Sequence, residues 1–401
     1  MISSKYLNTT TKSELYIYAV VFAILCPRGP IELSSLYKYA FTLMTWGLVA
    51  VVWLRFFMRF PVSKGRIDKK YLPFVLYFVF AILISLMIKR SLSGGLQQMF
   101  AYPTFFLFIC EEMKKNSKTV VKAFADIFIV LMILNPPLTK FIFERLLFHE
   151  TFMGHIQMIS QRGILAIFIA VIGFMSDVLS RRKACLLAAL TFLNMMTTDA
   201  SSAVLSAVII VAVLIVYIFK LYNLFCFKSQ IYVGIMVAFS FFIIVAACKS
   251  WLVGMVPDYT FSGRSYIWRE VFQRFSESPI YGYGIEGILI KPFWVGPNGG
   301  FNYAHNQIMQ NILDGGVILF TLFWAMILSL AQSINKMKNK ILVIVSNAAL
   351  ICTLFIMVFD SVSLYCYSYV LFAIIMNSEY LFFDEKAGLS GEKLISEVVI
   401  N

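Results

Sequence analysis

The chain has 401 residues, of which 60% are apolar and only 14% charged. Soluble domains run nearer half apolar and a quarter charged, so a soluble fold is excluded. The formal charge of +13 would suit a nucleic-acid binder, but the basic residues lie between apolar runs, where they act as topology signals, so nucleic acid is not expected as a partner. Composition predicts one integral membrane domain over residues 1–401, all-α and polytopic, with the lipid bilayer around it.

A helix crosses a bilayer in roughly 17–25 residues. Twelve such runs are read in chain order at 15–30, 36–57, 71–89, 95–111, 119–137, 161–179, 184–199, 202–222, 230–251, 312–333, 341–359 and 362–383. Pro27 and Pro30 cut the first short, and Pro136 and Pro137 are expected to break the fifth. With both termini in the cytoplasm, every inner segment carries a basic cluster, such as Arg55, Arg59, Lys64, Arg66, Lys69 and Lys70, or Lys336, Lys338 and Lys340. That obeys the positive-inside rule and puts 252–311, the longest segment outside the membrane, on the outer, periplasmic face between helices 9 and 10. A carrier built from two matching halves would place its longest connection near the middle and inside. A late outer loop points instead to a surface-active enzyme with its active site in that loop.

The polar start from Ser3 to Glu14 lacks an A-x-A-like site, so no cleaved signal peptide is expected. Cys26, Cys110, Cys185, Cys226, Cys248, Cys352 and Cys366 each lie in or beside an apolar run, without C-x-x-C spacing. They read as small core residues, and no disulfide, metal site or cofactor is expected.

Within the loop, Ser262 is expected to cap a helix from Gly263, on which Ile267, Trp268, Val271, Phe272 and Phe275 form an apolar stripe laid against the membrane surface. Arg264 sits at the rim of that stripe and Arg269 on the adjoining polar face. A guanidinium at headgroup level can donate two hydrogen bonds to a phosphate, which suits a diphosphate; snorkelling to lipid is the alternative reading. His305 shares the outer face with His149 and His155, one turn before span ten, with Met309 and Ile312 on its helical side. There it is either a proton acceptor for a hydroxyl or a satisfied interfacial polar group. Asp314 orients a donor or ends a polar face with Gln307 and Asn311. Arg162, opening span six, is a functional candidate or a snorkelling anchor. Asp199 reads as the cap of span eight.

Ser262-Gly263-Arg264 with Trp268 four residues on, then Ser278-Pro279-Ile280-Tyr281-Gly282-Tyr283-Gly284, then Ala304-His305-Asn306 with Gln307 to Gly316, follow one another in a fixed order. This series resembles the O-antigen ligase and polymerase family, membrane enzymes that handle undecaprenyl-diphosphate-linked glycans. The span count and the late outer loop agree with it. The resemblance implies a metal-independent, inverting glycosyltransferase of the bacterial inner membrane, in which Arg264 binds the donor diphosphate and His305 activates the acceptor hydroxyl. Arg162, Arg269, Trp268, Asn306, His155 and Asp199 are the substrate-binding candidates that go with that pair. Ligases of the family carry a Thr/Ser-Arg pair at the turn into the eighth span, whereas Ala200-Ser201-Ser202-Ala203 has no arginine. The departure leaves one phosphate ligand to Arg162 or Arg28, and it tilts the reading toward a polymerase of O-antigen or capsule repeat units. A ligase to lipid A core is the first alternative. A lipid-linked oligosaccharide flippase is the second, disfavoured by spans nearly free of charge. A chain-length regulator protein is a partner implied by the resemblance alone.

Overall fold

The computed structural model describes residues 2–59, 68–88, 95–146, 150–198, 200–218, 228–256, 258, 260–293 and 299–382. Its helices are, in order, α1 Ile2–Leu25, α2 Pro30–Leu33, α3 Ser35–Arg59, α4 Leu72–Met87, α5 Tyr102–Lys115, α6 Ser117–Leu138 and α7 Glu144–Leu146. Then follow α8 Ile156–Met175, α9 Arg181–Met196, α10 Ser201–Ile218, α11 Ser229–Cys248, α12 Arg264–Glu277, α13 Gln307–Asn335, α14 Lys340–Phe359 and α15 Cys366–Asn377. A small antiparallel hairpin, β1 Glu150–Thr151 and β2 Gly154–His155, leads into α8.

The fold is all-α and membrane-embedded. Among the described residues, six helical stretches are long and apolar enough to cross a bilayer: Ser35–Met58, Lys69–Met87, Ile156–Met175, Ser229–Cys248, Gln307–Asn335 and Lys340–Phe359. Six is half the number read from the sequence. Helices stand at the other expected positions, where α9 and α15 have 16 and 12 residues and α5 continues directly from the π-helical turn Gln97–Ala101.

Two local expectations are corrected. The prolines at 136 and 137 do not break α6, which runs through them to Leu138. Proline deprives the carbonyl four residues earlier of its donor, and here the buried Asn194 amide on α9 supplies a replacement to Met132 O at 3.0 Å. Ser262 does not cap α12. The N-cap is Gly263, at φ 82°, and no side chain bonds to the helix start. Asp258 instead holds the approach, accepting from the Ser262 and Thr260 N–H groups at 2.5 and 3.0 Å.

The apolar stripe of α12 also turns inward rather than to lipid. Ile267, Trp268 and Val271 are buried, and Phe272 and Phe275 pack on the same core, against α11 and α13. Helix α13 breaks at Gly315 and Gly316. The Pro279–Gly284 bend is clasped onto that break by Tyr283 N–H to Leu313 O (2.9 Å), Gly284 N–H to Asp314 O (2.8 Å) and Val317 N–H to Pro279 O (2.9 Å). A Cβ on Gly316, at φ 58°, would lie 2.4 Å from Ile280 O, so the backbone approach itself requires glycine.

Successive helices bring two sets of termini together. One end gathers the C-termini of α1, α11 and α14 with the N-termini of α8, α13 and α15. At the opposite end Lys70 Nζ donates to Met376 O at 2.9 Å and to Asn377 Oδ1 at 3.2 Å, tying the start of α4 to the end of α15.

Candidate active site

The first end holds the polar cluster. Asn306 is fully buried and is the N-cap of α13, its Oδ1 accepting from Ile308 N (2.8 Å) and Met309 N (3.1 Å). Its amide nitrogen donates to Ser240 Oγ on α11 (3.0 Å) and to Val358 O on α14 (2.8 Å), pinning three helices at one point. Two residues earlier, Ala304 O accepts from the buried Trp268 Nε1 of α12 at 3.0 Å, and Ala304 N–H donates to Gln310 Oε1 at 2.8 Å. His305 is held between these anchors with φ 51°, in the left-handed region. It precedes the helix, so Met309 and Ile312 do not share a helical face with it. Its half-buried ring meets Tyr303 edge-on, centroids 4.3 Å apart, and its Nδ1 lies 3.4 Å from Gln157 Nε2 at the start of α8.

Arg264 and His305 lie within electrostatic reach of one another. Burial first, then the Arg264 charge and His155, push the imidazole down to about 3, so it is neutral at ordinary pH. Burial also lowers Arg264, while Asp360, Tyr303 and Asp258 act to raise it. The guanidinium spends one donor on Phe261 O at 3.1 Å, and its Nε is buried without a partner.

Asp360, at the end of α14, lies within electrostatic reach of this guanidinium and was not singled out from the sequence. Burial raises its carboxyl to about 6 against the opposing pull of the Ser361 N–H, Arg264 and Gln161. Its Oδ1 accepts from Ser361 N at 2.8 Å. Its Oδ2 and the Gln161 Nε2 are buried and neither makes a bond of ordinary geometry. Between Asp314 and Glu379 the sequence has no other carboxylate, and that isolation at the mouth of an apolar run was the signal available. Glu150, in β1, is a second carboxyl at the rim, raised to about 7 by burial and then by Glu32, and its charge is felt at Tyr303.

The remaining sequence candidates are placed as follows. Arg162 is two turns inside α8 and fully buried, donating to Met153 O (2.6 Å), Cys26 O (3.2 Å) and the Tyr367 hydroxyl, whose ring it also covers at 4.5 Å. Its bonds tie α8 to the ends of α1 and α15. Arg269 is exposed and bonds Cys248 O (3.0 Å) and Ser250 Oγ (3.2 Å), fastening α12 to the end of α11. His155 caps α8, its Nδ1 3.4 Å from Gln157 N. Asp314 is buried and takes a bond from Gln310 Nε2 at 2.9 Å, while Gln307 bonds Asn311 and Ser363. Arg28 is half-buried on the loop after α1, its guanidinium 5.9 Å from the Phe41 ring. Asp199 and His149 lie outside the described residues.

Two cavities lie elsewhere: an apolar crevice of about 240 Å³ between α8, α10 and α14, and one of about 640 Å³ at the opposite end. Neither touches the polar cluster, whose chemistry rests on its side chains rather than on cavity size.

Fold and cluster together define a membrane-embedded helical protein with a guanidinium, a neutral imidazole and a buried carboxyl gathered at one end of its helices. Residues 184–324 match the family model described as O-antigen ligase. The match spans about a third of the chain and supports its resemblance to the O-antigen ligase and polymerase family. The matched segment contains Arg264, Trp268, Arg269, His305 and Asn306, and it stops short of Asp360. No curated protein matches the chain.

Proposed function

We infer that this protein is a polysaccharide polymerase of the bacterial inner membrane. It moves a growing glycan from undecaprenyl diphosphate onto a hydroxyl of the next lipid-linked repeat unit, in O-antigen or capsule synthesis. The observation that carries the reading is geometric: Trp268, one turn after Arg264, bonds Ala304 O beside His305, and Asn306 on the other side of His305 bonds Val358 O two residues before Asp360. In the reaction the acceptor oxygen attacks the anomeric carbon and its proton passes to the His305 imidazole. The bond from that carbon to the diphosphate oxygen breaks with its electron pair on the diphosphate, which Arg264 stabilises in a poorly solvated place. Attack opposite the leaving group inverts the anomeric centre, and this charge arrangement needs no metal.

An imidazole held near 3 is a weak base. A bound diphosphate would offset the Arg264 charge and raise the imidazole toward the range where general bases work. The role also requires the Gln157 amide to present its oxygen to Nδ1–H, freeing Nε2 to accept the proton; amide orientation follows the hydrogen-bond network. Gln157 is then a positioning residue. Trp268 and Asn306 hold the backbone on either side of His305, and Arg269 and Arg162 hold the helices around it. Arg28, half-buried on the loop after α1, is the further cation we assign to the phosphates in place of the family's missing arginine.

Twelve crossings with both termini cytoplasmic are the topology we propose. Lys69, Lys70, Lys114, Lys115, Lys183, Lys336, Lys338 and Lys340 all belong to helix ends opposite His305, which supports placing the cluster and the 252–311 loop at the periplasmic face. A ligase reading is favoured by the description of the matching family model. The two are separated by the glycans of a deletion strain: single-repeat forms alone indicate the polymerase, and loss of all surface polymer indicates the ligase. Complementation with Arg264→Ala or His305→Ala, at matched membrane levels, should leave long glycan ladders absent. Ladders of normal length from either variant would overturn the assignment.

A further inference from the structure

The larger cavity, about 640 Å³, opens at the end opposite the cluster, between the start of α4, the last turns of α13 and the residues that follow α15. Its walls differ in character. Pro73, Ala325 and Leu328 form an apolar side on α4 and α13, helices that expose Leu76, Val79, Phe80 and Leu328, while Lys69, Gln332 and Lys336 form a polar rim. Two carboxylates also line it, and both are already engaged. Asp68 accepts from Lys70 N at 3.2 Å and pairs with Lys114 at 3.8 Å, and Glu379 accepts from Lys338 N at 2.6 Å. Lys69 and Lys336 are exposed and have no ion pair among the described residues.

A pocket with uncommitted ammonium groups at its mouth and an apolar wall below, set where two membrane helices end, has the chemistry of a phosphodiester headgroup followed by acyl chain. A soluble phosphate would use the cations but leave the apolar wall without an occupant. We propose that this cavity binds the headgroup of an anionic phospholipid, with the phosphate between Lys69 and Lys336 and the first acyl carbons against Pro73 and Leu328. The site lies away from the His305 cluster and does not depend on the transfer chemistry assigned there.

The test is native mass spectrometry of the full chain released from nanodiscs, prepared with phosphatidylglycerol or with phosphatidylcholine. Wild type should retain phosphatidylglycerol preferentially. Lys69→Gln with Lys336→Gln should weaken that retention by on the order of 30-fold, about fivefold per lysine near an anionic headgroup. The double Lys→Arg variant should keep it. Both side chains are exposed and unbonded, so the charge-removed variant is expected to fold, and its unchanged melting temperature in detergent checks this. Equal retention of the two lipids by wild type, or full retention by the Gln variant, overturns the proposal. So does displacement of the lipid by millimolar inorganic phosphate, which would mark a free-anion site.

Discussion

Replacing Asn306 by alanine separates a framework role from a substrate-binding one. Its Oδ1 serves two backbone donors at the start of α13, and its Nδ2 serves Ser240 Oγ and Val358 O, all at a fully buried position. Loss of the cap costs about 1 kcal/mol, and a buried Val358 carbonyl without its donor costs a further 1–3 kcal/mol, roughly 2–4 kcal/mol together. Asn306→Asp keeps the acceptor half and loses the donors, so its carboxylate is buried beside acceptors and it should be no more stable than the alanine variant. The assay is thermal unfolding of purified protein in detergent, paired with the ladder length each variant restores. Asn306→Ala should melt several degrees below wild type and give short ladders, because His305 loses the anchor on one side. If it melts with wild type while acceptor affinity alone falls, Asn306 touches substrate and the framework account is wrong.

Trp268→Phe keeps most of the ring volume but strips the donor from Ala304 O. A cost of roughly 1–3 kcal/mol should appear in the melt, with turnover lowered more than acceptor KM in a transfer assay. Stability against pH tests the two shifted groups. His305 sits at about 3 in the fold against 6.5 ordinarily, so the unfolded chain gains a proton below pH 6.5 that the fold refuses, and stability falls on acidification from 6.5 toward 3. His305→Gln removes that loss and should gain roughly 2 kcal/mol on wild type between pH 7 and pH 5. Asp360 is raised to about 6 from 3.8, so its neutral form stabilises the fold below about pH 4, and that contribution is lost as pH rises through 6. Asp360→Asn should therefore change stability with the opposite sign between pH 4 and pH 6, and matching slopes for both variants would refute the assignment.

Much of the candidate cluster was legible because residues near one another in sequence make it up. Arg264, Trp268, His305 and Asn306 stand out from their neighbours by type, and the glycines at 282 and 316 by the backbone contact they permit. Asp360 escaped because it joins the cluster from the far end of α14, 55 positions after His305, at the end of a run whose hydrophobicity announces only a span. Pro136 and Pro137 misled because a proline's cost depends on what replaces the lost bond, and the Asn194 amide that does so belongs to another helix. Hydropathy marked where apolar helix lies, and among the described residues six of those stretches are long and apolar enough to cross a bilayer. The inward turn of the α12 stripe was hidden because an amphipathic helix has the same pattern whether lipid or protein covers it.

The interruption at Gly315 and Gly316 is clasped on both sides by the 279–284 bend, through Leu313 and Asp314 before it and Val317 after it. A bilayer that thickens or thins forces its helices to tilt, and tilting a continuous rod would swing whatever is mounted on its tip. Here the rod is cut below the tip. The imidazole lies just before the upper piece, where Trp268 and Asn306 tie its backbone to α11, α12 and α14, so its position is set by those bonds and not by the course of α13 below the break.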